Sequence, residues 1–469
     1  MNIDKKLINS WNRSYTNDTI KNEKLLQNII SSNSISSLYT NRDTHQKYQH
    51  IFSHKVEPFV KVTDQKSSGR CWLFAALNVI RRSMIEKYKI NNFEFSQNYL
   101  FFWDKLERFN YNLECAIQTR NEDINSQIVQ HILSDPTCDG GQWDMVVNLI
   151  EKYGLLPKSV YNESYHSSNS GQMNGVLNKL FRKNVKILRE AENPNLLKAA
   201  MIKEVHNILC KFLGTPPEMF DWCYESAKLS NSNHDSSNNN IEKLTVNNST
   251  TVVKNLTPLL FYKEYVDFNC ENYVCLINDP RKEHPYNKMY TVKFLGNVVE
   301  GYRVRYLNLD IKTLKHLVLN NIKDNTSVWF GCDVGKWLHG KECAMDFKLV
   351  DHLELFDIDF PLTKEDRLNY KDSLMTHAMV ITGANIEKNI SSITNSENEI
   401  VDSWQIENSW SDKGIVQGYY KMTDEWFDEY VYEIVVHKKY LTDEQRDIYN
   451  SNIENYIVLN PWDPMGSLA

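Results

Sequence analysis

Gln65-Lys66-Ser67-Ser68-Gly69-Arg70-Cys71-Trp72-Leu73-Phe74-Ala75-Ala76 places a cysteine at the head of an unbroken apolar run. Polar turn formers and a glycine precede it, and the run continues through Leu77, Val79 and Ile80 before Arg81, Arg82 and Lys87. This pattern predicts a buried helix, ending near Tyr88, with Cys71 in its first turn. The free N–H groups and partial positive charge of a helix N-terminus lower a thiol's pKa and favour the thiolate. The stretch alone fits a nucleophile or an inert core cysteine.

Two later segments bear on that choice. Thr376-His377-Ala378-Met379-Val380-Ile381 sets one histidine at the start of an apolar strand, a place a structural histidine also occupies. Trp404-Gln405-Ile406-Glu407-Asn408-Ser409-Trp410 puts an asparagine at a strand end between two tryptophans, and Gly418 to Met422 reads as the next strand. A Cys, a His and an Asn, each at the mouth of a different element, make up the set a thiol hydrolase needs. The thiolate attacks, the imidazole moves the proton, and a neutral amide orients the imidazole without quenching its charge.

The remaining chain reads as follows. Residues 1–55 are mixed and polar, with helical periodicity around Leu25, Leu26, Ile29 and Ile30, and Val56 to Val62 reads as a short strand. Ser96 caps a second apolar helix. Thr137-Cys138-Asp139-Gly140-Gly141-Gln142-Trp143 precedes a helix from Met145 to Tyr153 that stops at Gly154; the glycine pair suits close backbone approach, or a plain loop. Asn174 to Lys228 reads as mostly helical. Residues 230–251 are low-complexity and asparagine-rich, the composition of a disordered surface insertion. Strands are expected at Asn272–Ile277, Tyr302–Tyr306 and Val328–Val334, with a helix near Lys312 to Asn320.

The bulk numbers bound the class. The chain has 469 residues, 41% of them hydrophobic, and a net charge of −7. That is ordinary soluble composition with enough apolar mass for one large or two medium domains, and its acidic balance disfavours nucleic acid as a partner. No apolar signal core opens the chain and no run is long enough for a membrane span, so the expected home is the cytoplasm. Nine scattered cysteines without a CxxC pair suit free thiols rather than a disulfide framework or a zinc site; no cofactor or metal is implied.

Gln-x5-Cys-Trp, Cys-Asp-Gly-Gly, Thr-His-Ala-Met and Glu-Asn-Ser-Trp occur in that order, and with them the chain resembles the papain-like cysteine proteases, most closely their bleomycin hydrolase and aminopeptidase C branch. The resemblance runs from about Val56 to the C-terminus. It implies an α+β fold: a papain-like two-lobe core with helical and strand-rich insertions between the catalytic Cys and His. Cys71 and His377 lie 306 positions apart (377 − 71), against about 130–150 in the papain type. Ser68 and Arg70 stand where the secreted type carries a disulfide cysteine and a small residue, so that disulfide cannot form here. The expected organisation is an N-terminal wrapping segment (1–55), a Cys-bearing helical lobe (56–173), inserted modules (174–350), a β lobe bearing His and Asn (351–455) and a C-terminal arm (456–469).

The resemblance also assigns roles. Cys71 is the nucleophile, as a thiolate beside protonated His377; Asn408 orients His377, and Gln65 donates to the oxyanion with the Cys71 N–H. Trp410 shields the His–Asn contact or simply packs, and Gly140 and Gly141 let substrate backbone approach. The tail Asn460-Pro461-Trp462-Asp463-Pro464-Met465-Gly466-Ser467-Leu468-Ala469 is apolar and proline-bearing, so it should dock, either in the cleft or over another apolar groove. By the resemblance it lies in the cleft, where the Ala469 carboxylate meets the substrate's α-ammonium. This implies a cysteine aminopeptidase acting on peptides with a free N-terminus, with bleomycin or thiolactone hydrolase activity possible and a homohexameric assembly. The alternatives are an endopeptidase with a mobile arm and a nucleic-acid-binding barrel scaffold.

Overall fold

The computed structural model describes residues 1–18, 21–34, 43–44, 48–226, 243–245, 250–349, 361–390, 397–413 and 416–467. They form two compact units, one of residues 1–49 with 346–362 and one of residues 50–345 with 363–469. The first contains the helices Lys5–Asp18 and Lys21–Ser32 and a 3-10 turn, Phe347–Leu349. The second of these helices spans the Leu25–Ile30 periodicity, and the Asp4 carboxylate caps the first by accepting the Leu7 N–H at 2.8 Å.

The second unit pairs a helical layer with a long sheet. Its central helix, Cys71–Tyr88, has the boundaries the sequence predicts. It is apolar almost all round, and nearly every side chain from Cys71 to Ile85 is buried, as a helix enclosed on all sides requires. It ends on Lys89 in the left-handed conformation at φ 55°. Helix Gln97–Gln118 packs beside it, with Ser96 accepting the Tyr99 N–H as its cap. Helix Trp143–Tyr153 starts two residues earlier than expected and stops at Gly154, whose φ of 73° suits glycine.

Among the described residues the sheet has 12 strands. From one edge the order is Ile457–Leu459, Lys288–Val292, Tyr306–Asn308, Tyr273–Ile277, Val431–His437, Val328–Cys332, His377–Ile390, Glu397–Glu407, Tyr419–Thr423, Ala344–Met345 and Leu338–His339, with His54–Lys55 added beside His377–Ile390. The start of the His377 strand lies between two neighbours, pairing His377 with Cys332 and Val380 with Glu407. Ala378 to Ile381 are all buried, which explains why the sequence there is continuously apolar instead of alternating.

Three expectations need correction. Val56–Val62 is not a strand: its carbonyls bond side chains, Pro58 O accepting from Arg82, Val60 O from Tyr419 and Lys61 O from Arg81. After helices Gly171–Glu190 and Pro194–Leu213, Phe220–Glu225 leaves the helical pattern and pairs as a strand with Thr250–Leu256. Phe220 and Trp222 are buried while Asp221 and Cys223 are exposed, a period of two. Tyr302–Arg305 is extended but unpaired, and the strand begins at Tyr306. Of the asparagine-rich stretch, 230–242 and 246–249 lie outside the described residues, while Lys243–Thr245 and Thr250–Thr251 are strand.

Candidate active site

The Cys71 helix begins without a side-chain cap on Arg70, so the Arg70 side chain takes none of the first-turn N–H groups at the end that carries the thiol. The loop before it is held rigidly. Arg70 is buried, donates to Ser68 Oγ at 2.8 Å, pairs with Glu163 at 2.8 Å and lies over the Phe74 and Phe101 rings. Cys71 itself is 2% exposed, and the backbone N–H of Ala378, the residue after His377, is among the groups that favour its thiolate. The start of the His377 strand thus lies against the thiol.

His377 is buried, and its Nε2 lies 2.9 Å from Asn408 Oδ1. The same Oδ1 accepts the Ser409 N–H at 2.8 Å, which identifies that atom as the oxygen. His377 Nε2 must therefore carry the proton and donate, leaving Nδ1 as the free base. Trp410, 39% exposed, packs against the imidazole with ring centroids 4.8 Å apart and the rings tilted by 32°.

Gln65 is brought to the same place by backbone pairing. Its N–H donates to Ser409 O at 2.9 Å, Ser411 N donates to Thr63 O at 3.2 Å, and Asp64 bridges Trp410. Gln65 Oε1 accepts from Ser409 Oγ at 2.6 Å and its Nε2 donates to Ser68 O at 2.7 Å. An amide nitrogen has two hydrogens, so one remains for a substrate oxygen. The chain on either side of Asn408 is anchored to the Cys71 helix as well. Buried Glu407 holds Arg81 at 2.7 Å and Arg82 at 2.6 Å.

Gly141 is buried against Trp72: a Cβ there would come within 2.5 Å of the indole ring. Trp72 in turn donates from Nε1 to Asp139 O at 2.7 Å. Gly140 is half-buried beside Gly69 of the nucleophile loop. The glycine pair thus sets the approach of two loops flanking Cys71. Ala469 lies outside the described residues. The arm can be followed to Ser467, whose carbonyl accepts from Gln142 Nε2 and whose hydroxyl donates to Met375 O, both at 2.6 Å. That places the arm two residues from His377.

Sequence reasoning quoted Asp139 but gave it no role. Its carboxylate accepts from Gly69 N at 3.0 Å, Lys105 Nζ at 2.6 Å and Asn174 Nδ2 at 2.7 Å, and from Ser170 Oγ. Burial by itself would raise its pKa; Lys105 and these hydrogen bonds overcome that and hold it well below the carboxylate range. Asp139 fixes the loop that carries Cys71 from behind. The partners come from three separate segments, the Gly69 loop, the Lys105 helix and the start of helix Gly171–Glu190, so no local motif marks them.

Burial opposes charge on both members of the pair. Burial pushes the Cys71 thiol up to about 11, against the pull of the Ala378, Trp72 and Cys71 N–H groups, and lowers His377 to about 4, against the hydrogen bond to Asn408. The helix N-terminus acts in the expected direction, but desolvation is larger. In the substrate-free cleft the balance thus leans toward the neutral thiol and the neutral imidazole. A base that stays neutral to about 4 keeps working well into acid. The acid limb of kcat/KM should therefore fall below 6.5, with activity lost only as His377 protonates; a limb at 6.5 or above in a pH–rate profile would contradict this site.

The sequence matches the Peptidase C1-like family over residues 2–466. It is 41% identical over 458 residues to bleomycin hydrolase of Mus musculus, covering 95% of this chain and 94% of the relative. Against aminopeptidase C of Listeria monocytogenes it is 40% identical over 449 residues, again covering 95% and 94%. The crystal structure of PepW from Lactobacillus rhamnosis superposes with a TM-score of 0.90 at 38% identity, covering 100% of this chain and 99% of that one. The cysteine, histidine and asparagine segments, their α+β framework and these likenesses agree: the chain belongs to the Peptidase C1-like family, in its bleomycin hydrolase and aminopeptidase C branch.

Proposed function

We propose that the protein is a cysteine aminopeptidase that removes residues from the free N-terminus of peptides through an acyl-enzyme on Cys71. The observation that carries this reading is His377, fixed by Asn408 at 2.9 Å with Nδ1 left as base, on the strand that packs against the Cys71 helix. His377 Nδ1 takes the thiol proton as Sγ attacks the scissile carbonyl. The oxyanion is held by the Cys71 N–H and the second N–H of Gln65 Nε2. The tetrahedral species collapses as imidazolium Nδ1–H protonates the leaving amine. Water, deprotonated by the same nitrogen, then releases the acyl group and restores the thiol.

The exopeptidase choice comes from the arm. Its described end, Ser467, is bonded to Gln142 and Met375, and two residues remain to Ala469. A terminal carboxylate at that point pairs with the substrate's α-ammonium and fills the cleft where a longer N-terminal extension would lie. Bleomycin is a further substrate in this reading, supported by the name of the Mus musculus relative; small amides and thiolactones rest on the branch resemblance alone. The branch resemblance supports a cytoplasmic homohexamer, and the net charge of −7 gives nucleic acid no support.

The test compares a fluorogenic amino acid amide with its N-acetylated twin. Only the free amine should be cleaved, with kcat/KM for the acetylated form lower by about 10–100-fold or more, the weight of a charge-assisted pair. Equal cleavage of both would replace the aminopeptidase reading with an endopeptidase.

A further inference from the structure

We propose that Arg281 is the clasp that sets where the C-terminal arm ends, and that selectivity for a free N-terminus depends on it. The inference rests on the arm-gated reading above and adds the residue through which the main body holds the arm.

The arm leaves the sheet at Leu459, where strand Ile457–Leu459 runs parallel to Lys288–Val292 and Leu459 O accepts the Lys293 N–H at 3.0 Å. Beyond that point the ladder ends. Asp463 is the one charged side chain in residues 460–469. It is met by Arg281, whose Nη2 lies 2.7 Å from Oδ1 and Nη1 3.2 Å from Oδ2, a two-pronged pair with both side chains largely buried.

Arg281 is in place independently of the arm. Its Nε and Nη2 also hold Asp279, at 2.9 and 2.7 Å. Asp279 is fixed in turn by His284 Nδ1 at 2.5 Å, and its backbone by the Asn308 side chain, which accepts from Asp279 N at 2.9 Å and donates to Asp279 O at 3.0 Å. The guanidinium is thus an oriented socket rather than a surface charge. On the arm side, Asp463 Oδ1 also accepts the Met465 N–H at 2.9 Å, and Asp463 O accepts the Gly466 N–H at 2.9 Å. The turn Pro464–Gly466 therefore hangs from the carboxylate that Arg281 grips, and the next residue is Ser467, at Gln142 and Met375. Moving Asp463 moves the chain end.

Removing the guanidinium does more than loosen the arm. It leaves the Asp279 and Asp463 carboxylates sharing a buried site with no cation between them, which repels the arm from its seat. Arg281→Gln should raise kcat/KM for the N-acetylated amide relative to the free amine by about 10–100-fold, and should raise KM for the free amine more than it lowers kcat. Arg281→Lys keeps the charge without the fork, so it should restore the ratio only in part. Asp463→Asn leaves the Arg281–Asp279 pair intact and the body folded, and should reproduce the change in ratio. Deletion of residues 461–469 tests the underlying reading separately. If the deletion raises cleavage of the acetylated amide but neither Arg281→Gln nor Asp463→Asn changes the ratio, the clasp is overturned and the gated arm survives. If the deletion leaves the acetylated amide uncut, gating fails and the clasp with it. Equal loss of both activities in Arg281→Gln, with an unchanged ratio in Asp463→Asn, would also overturn it, since that is a structural role only.

Discussion

Cys71→Ala abolishes hydrolysis of a free-amine amide, a loss of at least about 10⁴-fold in kcat, while the protein stays folded. The substitution removes a single buried sulfur from the first turn of a helix held by more than a dozen other buried side chains. A truncation of that size costs about 1 kcal/mol, so the thermal midpoint should move by no more than about 2–4 °C. The reaction, by contrast, has no other group at this place able to form the acyl-enzyme. Cys332, paired opposite His377 on the neighbouring strand, is fully buried. Residual turnover within about tenfold of wild type in the alanine variant would remove Cys71 from the mechanism.

Glu407→Gln has the opposite signature, a large loss of stability from a change that alters no reacting atom. The carboxylate is 1% exposed and is the common partner of Arg81 and Arg82, at 2.7 and 2.6 Å. A neutral amide leaves two guanidinium groups in a site closed to water, and breaking a buried pair from one side costs about 3–5 kcal/mol. The denaturant midpoint should fall accordingly with little change in slope. Because Glu407 immediately precedes Asn408, the His377–Asn408 alignment loosens too, and kcat should drop with it. A midpoint within about 0.5 kcal/mol of wild type would show that the cluster has little to do with holding the strand to the Cys71 helix.

These two residues mark what was legible in the sequence and what was not. Cys71, His377 and Asn408 could be read because each sits at the start of, or just past the end of, an element with a clear pattern: an unbroken apolar helix for the first, apolar strands for the others. The helix from Cys71 to Tyr88, the Ser96 cap and the Gly154 stop were readable for the same reason. The contacts that hold them were not. Glu407 meets Arg81 and Arg82 across more than 300 positions, Asp139 gathers donors from Gly69, Lys105, Ser170 and Asn174, and Arg281 reaches Asp463. A buried charge reveals its partner only after folding, because any exposed carboxylate has the same local sequence. Phe220–Glu225 shows the same limit for backbone: after two long helices its six residues carry too short an alternation to announce a strand. The pull of the helix N-terminus on the thiol is visible in sequence, while the desolvation that opposes it is not.

The most direct test labels the protein with a small thiol-directed affinity reagent, an amino acid acyloxymethyl ketone bearing a free α-amine, alongside its N-acetylated twin, and maps the adduct by peptide mass spectrometry. Of the nine cysteines, Cys71 alone should be modified, and by the free-amine reagent far faster than by the acetylated one. Modification at another cysteine, or equal labelling by both reagents, would contradict a Cys71 nucleophile working behind an arm that demands a free N-terminus.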